Sequence, residues 1–176
     1  MSTADFAALL PAAMGIYAEA MGYTRSIIPA RTTLAQQHLG FPDFRSVAAW
    51  HNSELVGFGY GYRGMPGQWW YDHVAQMIRD HPSGDATADF WLSNMFELCE
   101  LHVSPRFQGA GLGRGLLETL IDDTAFSTTL LSTPEGDTTA HHLYRRTGFI
   151  RVVDASVFPG DARRFAILGR RAGGAT

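Results

Sequence analysis

The chain has 176 residues, of which 45% are hydrophobic and 18% charged, and its formal net charge is −3. This composition excludes a largely disordered chain and predicts a single globular domain over residues 1–176. The negative net charge argues against a nucleic-acid-binding surface. The single cysteine excludes an internal disulfide, and no apolar stretch approaches the ~18 residues that span a bilayer. We therefore expect a cytoplasmic protein that binds neither nucleic acid nor membrane.

Hydrophobic periodicity and turn residues predict alternating helices and strands along the chain. Helices are predicted over residues 3–22, 27–39, 68–80, 112–125 and 138–147. Strands are predicted over residues 45–51, 54–62, 128–133, 149–158 and 163–168, together with one that begins near residues 91–95 and ends at Val103. Residues 81–89 are predicted to form a polar loop. This order predicts an α/β fold with a mixed sheet.

The strand predicted over residues 54–62 has two different faces. Along this strand, large apolar residues alternate with Gly57, Gly59 and Gly61. One face is therefore rich in aromatic residues and the other has no side chains, so another element is expected to pack closely against the glycine face.

The next predicted strand contains a slip in its alternation. Apolar residues fall at Phe96 and Leu98, and the pattern then continues one position out of phase through Cys99, Leu101 and Val103. A slip of one residue would turn the core face outward unless an extra residue is absorbed, so we predict a β-bulge near Leu98–Cys99. The bulge would bring three polar residues to one face of the strand: Glu97, Glu100 and His102.

The loop Gln108–Gly115 has the features of an anion-binding turn before a helix. Its glycines tolerate positive φ and leave backbone N–H groups uncovered, and the helix that begins near Gly111 adds the positive end of its dipole. Arg106 and Arg114 add full charges. The Walker pattern does not fit because no Gly-Lys-Ser/Thr follows, and the glycine spacing of the dinucleotide pattern fails as well.

The pattern that fits is Gln/Arg-x-x-Gly-x-Gly/Ala, formed by Gln108, Gly111 and Gly113 directly after a strand. A second signature is Leu143–Phe149, in which a helical Tyr144 precedes a Gly-Phe strand entry. In these motifs the chain resembles the GNAT superfamily of acyl-CoA-dependent N-acetyltransferases. The resemblance implies a GNAT-like mixed, mostly antiparallel sheet flanked by helices, with a bulged, splayed central strand.

The resemblance also implies acetyl-CoA as the acyl donor and no metal. The implied cofactor-binding residues lie on the bulged strand, on the glycine loop and before the last predicted helix: Leu101, His102, Val103, Gln108, Gly109, Ala110, Gly111, Leu112, Gly113, Arg114 and Asp137. Asp137 departs from the family, which often has asparagine at this position. Aspartate is nevertheless a suitable N-cap for the following helix.

The resemblance assigns catalytic roles to Tyr144 and to acidic residues of the bulged strand. Tyr144 is implied as the acid that protonates the leaving thiolate, and a phenol with a pKa of ~10 is able to do so. Glu97 is our first candidate for the base and Glu100 the second, whereas His102 is expected in the path of the pantetheine arm. The ordinary alternatives are a core tyrosine and solvated strand charges.

The sequence therefore predicts an N-acetyltransferase that acts on a primary amine by direct attack in a ternary complex. The acceptor is a small-molecule amine or a peptide N-terminus, and a homodimer is left open. Two other classes of function remain. One is a non-catalytic acyl-CoA-binding sensor or interaction domain, and the other is a general phosphate or nucleotide binder.

Overall fold

The computed structural model of the chain describes residues 1–81, 84–122 and 124–173. Within them lie the helices α1 (Thr3–Ala20), α2 (Ile28–His38), α3 (Trp69–Arg79), α4 (Gly84–Leu92), α5 (Leu112–Ile121) and α6 (Thr139–Arg146). The strands are β1 (Arg45–His51), β2 (Glu54–Arg63), β3 (Met95–Val103), β4 (Thr128–Pro134), β5 (Ile150–Val157) and β6 (Arg164–Arg171). None of these helices has both the length and the apolar character needed to cross a membrane.

One predicted element is wrong. The polar loop expected over residues 81–89 is helical from Gly84 onward, while its residues 82 and 83 lie outside the described part of the chain. Helix α4 forms because Ala88, Trp91 and Leu92 share one buried face at spacings of three and four residues. Strand β3 consequently begins at Met95.

The strands form a mixed, mostly antiparallel sheet, as expected, and their order in the sheet is β1-β2-β3-β4-β6-β5. The pairs β1–β2, β4–β6 and β5–β6 are antiparallel, whereas β3 pairs with β4 in parallel from Met95 to Glu97. The turn between β1 and β2 has positive φ at Asn52 and Ser53, of 47° and 66°. These angles are those of a tight hairpin turn, which confirms the predicted hairpin.

The chain divides into two compact units, so the single domain expected over residues 1–176 stays a prediction. The first unit comprises Met1–Tyr62 and Leu98–Asp122, and the second comprises Arg63–Glu97 and Asp123–Thr176. Strand β3 contributes to both, because its first three residues belong to the second unit and the remainder to the first.

In the first unit, the two faces of β2 pack against different elements. The aromatic face lies in a core with α1 and α2 that includes Phe6, Phe58 and Tyr60. The glycine face lies against α5: a Cβ on Gly57 would lie 3.0 Å from Leu116 Cδ1, and one on Gly59 would lie 3.5 Å from Leu120 Cδ2 as well as 2.9 Å from Leu101 Cδ1 of β3. The close packing predicted for the glycine face is therefore present, and it positions the helix that follows the glycine loop.

In the second unit, α3 and α4 pack their apolar faces into a core with strands β4 to β6. This core includes Val74, Trp91, Leu130 and Ile167. The Trp91 ring fills the space above Gly169 of β6, where a Cβ would lie 2.5 Å from Trp91 Cζ3 and 2.8 Å from Cη2.

We expect Gly169→Ala to lower the free energy of unfolding by about 1–3 kcal/mol, because the added methyl group has to displace a buried indole ring. The control is Gly15→Ala inside α1, where the nearest atom to the new Cβ is Arg25 Nη2 at 4.0 Å. That variant should gain about 0.5–1 kcal/mol from helix propensity. Urea denaturation followed by circular dichroism measures both, and a neutral or stabilising Gly169→Ala would show that Trp91 has room to move.

Candidate active site

Strand β3 contains one residue more than the stretch of β2 that it pairs with. The N–H of Ser104 donates to the carbonyl of Val56 at 2.8 Å, and the N–H of Gly64 donates to that of Met95 at 3.1 Å. Eight residue steps separate Val56 from Gly64, whereas nine separate Met95 from Ser104. The extra residue defines a β-bulge, as the slip in the sequence pattern predicted.

Side-chain contacts place the bulge one residue after the predicted position. Cys99 Sγ lies 3.6 Å from His38 Nδ1, and Glu100 bonds to Arg31, so two consecutive β3 residues reach the same helix, α2. Regular alternation would send neighbouring side chains to opposite faces. The alternation is therefore broken between Cys99 and Glu100.

Glu100 is the centre of a buried polar cluster on this face of β3. Its Oε1 accepts a hydrogen bond from Nη2 of Arg31, and its Oε2 lies 2.6 Å from Nε2 of His102. Only 9% of the Glu100 side chain is exposed, against 29% for Arg31. Glu100 and His102 thus share a face, as predicted, while Leu101 points to the α5 side.

Aromatic rings surround the cluster on two sides. The guanidinium carbon of Arg31 lies 4.5 Å from the centre of the Tyr17 ring on α1. The rings of Tyr17 and His102 are nearly perpendicular, at 88°, with their centres 5.1 Å apart, and the ring of Phe58 on β2 is centred 5.6 Å from that of His102. The cation–π contact and the ring contacts hold both partners of Glu100 in place.

The surroundings of Glu100 keep it ionised. Burial acts to raise the pKa of its carboxyl group, but the hydrogen bond from His102 and the charge of Arg31 outweigh burial and hold the pKa below its usual value. Burial likewise acts to lower the pKa of Arg31, and Glu100 outweighs it, so that pKa is raised. The pair is therefore a carboxylate and a guanidinium across the neutral pH range.

His38 is a neighbouring core histidine with different surroundings. Its Nδ1 lies 3.1 Å from the Tyr60 hydroxyl, and its ring stacks on Phe41 at 5.5 Å. Burial lowers its pKa to about 4, so it is neutral at pH 7. Burial also raises the pKa of Tyr60 well above its usual value.

The glycine loop has the backbone geometry expected of an anion site. Gly109 and Gly111 both have φ of 81°, and apart from the adjacent residues no heavy atom of the described part of the chain lies within 4 Å of the Cβ position of either glycine. Gly111 is the N-cap residue of α5 and supplies no side-chain hydrogen bond. The first N–H groups of α5, at Leu112 and Gly113, therefore begin next to open space, and Ala110 at the loop tip is exposed.

The start of this loop is fixed by two hydrogen bonds. Ser104 Oγ donates to Glu19 of α1 at 3.1 Å, which ties the end of β3 to that helix. The Gln108 side-chain amide donates to the carbonyl of Val103 at 3.0 Å. Gln108 thus orders the loop through its side chain.

The two arginines predicted to add charge to the loop each form an exposed ion pair. Arg106 pairs with Glu54 at 2.7 Å, and Arg114 pairs with Glu118 at 2.7 Å one helical turn away. Exposed pairs are worth little energy, so a phosphate group is able to compete for either guanidinium.

The second unit carries the other predicted residues. Glu97 is buried in β3 opposite Leu130 of β4, and Tyr144 is buried in α6 with its ring 5.3 Å from that of Phe149. Gly148 has φ of 84°, as predicted for the end of α6. Asp137 was expected as the helix N-cap, but Thr138 caps α6 instead, and exposed Asp137 lies 3.0 Å from His142 Nε2.

The structure thus brings Glu100 and His102 together, and it adds Arg31 and Tyr17, which the sequence did not indicate. These two residues lie in the N-terminal segment, 69 positions or more from Glu100, and no motif links them to β3. Among the described residues, no group of three or more histidine, cysteine or acidic side chains is arranged to hold a metal ion.

Residues 10–149 of the chain match the acetyltransferase (GNAT) family. The chain is also 34% identical over 183 aligned positions to a GCN5-like protein acetyltransferase of Mycobacterium tuberculosis, an alignment that covers 90% of this chain and 89% of that protein.

Solved structures share the fold at lower identity. The ribosomal-protein-S18-alanine N-acetyltransferase of Escherichia coli is 19% identical with a TM-score of 0.61, covering 100% of this chain and 93% of the other. The PaiA N-acetyltransferase of Thermoplasma acidophilum, solved in complex with coenzyme A, is 16% identical with a TM-score of 0.53, covering 97% and 95%.

The lowered pKa of His38 predicts acid sensitivity. Because His38 has a pKa of about 4 in the folded chain and ~6.5 when unfolded, the unfolded chain binds more protons between these values. Stability should therefore fall as the pH drops from 6.5 to 4, by on the order of 1–3 kcal/mol after allowance for partial solvation. Urea denaturation at several pH values should show a flatter pH dependence for His38→Gln, while the exposed control His51→Gln follows the wild type. Identical slopes for all three proteins would contradict this account.

Proposed function

Because the chain belongs to the GNAT acetyltransferase family, we propose that it transfers an acetyl group from acetyl-CoA to a primary amine by direct attack in a ternary complex. The observation that carries the proposal is the glycine loop. Two residues with φ of 81° lead directly into an α5 N-terminus that has no side-chain cap.

Coenzyme A fits this loop chemically. Its pyrophosphate needs backbone N–H donors and positive charge, which the α5 N-terminus and residues Gly109 to Gly113 supply. Arg114 adds a guanidinium beside the helix start. Backbone groups of Leu101, His102 and Val103 on β3 are proposed to line the pantetheine arm, and Asp137 is a further proposed contact.

The bound thioester supplies an activated acetyl group, and the residues of the chain supply proton transfers and orientation. Tyr144 is proposed to donate a proton to the departing sulfur. Its burial and its place before the Gly148–Phe149 turn fit a fixed hydroxyl group. The proton acceptor is proposed to lie on β3, which carries Glu97, Glu100 and His102.

The acceptor is proposed to be an amine on a peptide or protein. The relative from Mycobacterium tuberculosis is named a protein acetyltransferase, and the structural neighbour from Escherichia coli acts on an alanine of a ribosomal protein. A thiol-release assay with acetyl-CoA and a panel of peptides, polyamines and arylamines tests the proposal. Tight acetyl-CoA binding without transfer to any amine would instead favour an acyl-CoA sensor.

Gly111→Ala should weaken acetyl-CoA binding by about tenfold or more, or ~1.4 kcal/mol, because a side chain at φ of 81° is strained and the methyl group faces the open space. The matched control is Gly160→Ala, in a turn with φ of 85° and equally open surroundings. It should lose similar stability without losing affinity. Isothermal titration calorimetry measures the affinities, and equal affinities for the two variants would remove the loop from the binding site.

Tyr144→Phe should lower turnover by about 10²-fold or more while acetyl-CoA affinity is kept, since only the acidic proton is removed. Tyr71→Phe is the control, because Tyr71 is also a buried helical tyrosine of the second unit and has no proposed role. Steady-state thiol release measures turnover. Full activity of Tyr144→Phe would remove the acid role.

A further inference from the structure

We propose that His102 accepts the proton from the attacking amine, and that Glu100 and Arg31 are positioning residues that hold His102 ready to do so. The inference rests on the proposed acetyl transfer and names a residue for one of its steps. It departs from the sequence-based expectation that Glu97 or Glu100 is the base.

The hydrogen bond to Glu100 selects the tautomer of His102. An ionised carboxylate only accepts hydrogen bonds, so the 2.6 Å contact requires the hydrogen to be on Nε2 of the imidazole. In a neutral ring the lone pair is then on Nδ1. Among the described residues, the bond to Glu100 is the one hydrogen bond of this ring, which leaves Nδ1 able to receive a proton.

Glu100 itself is poorly suited to accept the proton. One of its oxygens is bonded to Arg31 and the other to His102, and 9% of the side chain is exposed. Protonation would leave the partly buried Arg31 without its counter-charge, which is costly in a low-dielectric environment. As a carboxylate, however, Glu100 stabilises the imidazolium that forms when His102 gains a proton.

The surrounding elements fix the ring. The ring of Tyr17 on α1 is perpendicular to the His102 ring with its centre at 5.1 Å, and the ring of Phe58 on β2 is centred at 5.6 Å. The charged groups in this cluster are Glu100 on β3 and Arg31 on α2, and Arg31 stacks on the same Tyr17. The side chain of His102 is 13% exposed, so a small part of it is open to a reactant.

The proton and electron balance is complete within the proposed reaction. As the amine nitrogen forms its bond to the acetyl carbonyl carbon and the carbon–sulfur bond breaks, the amine loses one proton to Nδ1 of His102. The bonding electron pair leaves with the sulfur, which takes a proton from the Tyr144 hydroxyl. Exchange with water then restores both residues.

The kinetic test compares four variants of the full chain: His102→Gln, Glu100→Gln, Glu97→Gln and His38→Gln. The probes are acetyl-CoA with a peptide carrying a free α-amine, a lysine-containing peptide, spermidine and an aniline. We expect His102→Gln to lower kcat about 10²–10³-fold with acetyl-CoA affinity unchanged within about twofold. Glu100→Gln should lower kcat about 10–10²-fold. His38→Gln, a matched histidine of the same unit, should keep the wild-type kcat.

A spectroscopic test needs no acceptor amine. Nitrogen-15 NMR of the histidine rings, assigned with His102→Gln, should show the neutral His102 ring of the wild type with its hydrogen on Nε2. The Nδ1–H tautomer should increase in Glu100→Gln, because the charge that holds the Nε2 hydrogen is gone. A wild-type ring with its hydrogen on Nδ1 overturns the proposal.

The outcomes separate the two proposals. Transfer by the wild type, with full activity in His102→Gln and a large loss in Glu97→Gln, overturns the role of His102 and leaves the acetyltransferase function standing. A wild-type chain that transfers acetyl to none of the amines overturns both. Loss of kcat in His102→Gln with acetyl-CoA affinity kept, together with the Nε2–H tautomer in the wild type, supports the assignment.

Discussion

The extra residue in β3 is the constraint on which the candidate site depends. Before it, Cys99 packs with His38 and Tyr60 in the core beneath α2. After it, Glu100 and His102 take over that face, and Leu101 turns to the glycine side of β2 beneath α5. Without the bulge, regular alternation after Cys99 would turn Leu101 toward α2 and would turn Glu100 and His102 away from it. The bulge therefore lets β3 pack Cys99 beneath α2 and Leu101 beneath α5, and it also brings the polar Glu100 and His102 to one face.

The polar cluster is sustained by mutual neutralisation. A buried carboxylate is unfavourable by itself, and Glu100 remains ionised because Arg31 and His102 occupy both of its oxygens. Each partner is in turn held by Tyr17 of α1, through a cation–π contact with Arg31 and an edge contact with His102. Helices α1 and α2 thus contribute to the chemistry of β3 as well as covering its apolar surface. This arrangement ties the proposed proton transfer to the packing of the N-terminal segment.

Most of the fold was predictable from the sequence because its signals are local. The phase slip in β3, the glycines of the loop and Gly148 each record a backbone requirement at their own position, and all three predictions are confirmed. Helix α4 was missed because its beginning is polar and its large apolar residues, Phe90 to Leu92, are adjacent in its last turn. The roles of Arg31 and Tyr17 could not be predicted from the sequence, for a different reason. Their roles arise from long-range packing, and a helical arginine with an unknown partner looks like any solvated residue.

Residue 31 has to bond to Glu100 and stack on Tyr17 at the same time, and arginine suits both requirements. A guanidinium group is planar, so Arg31 bonds to Glu100 at its edge while its face lies on the Tyr17 ring. An ammonium group has no such face, and a buried lysine loses its proton readily. Such a lysine would also bring a nucleophilic amine close to the proposed thioester chemistry. All fourteen basic residues of the chain are arginine, so its positive charges are carried by groups that stay protonated and do not compete with the acceptor. The arginine side chains of the protein therefore supply positive charge, while the amine of the substrate supplies the nucleophile.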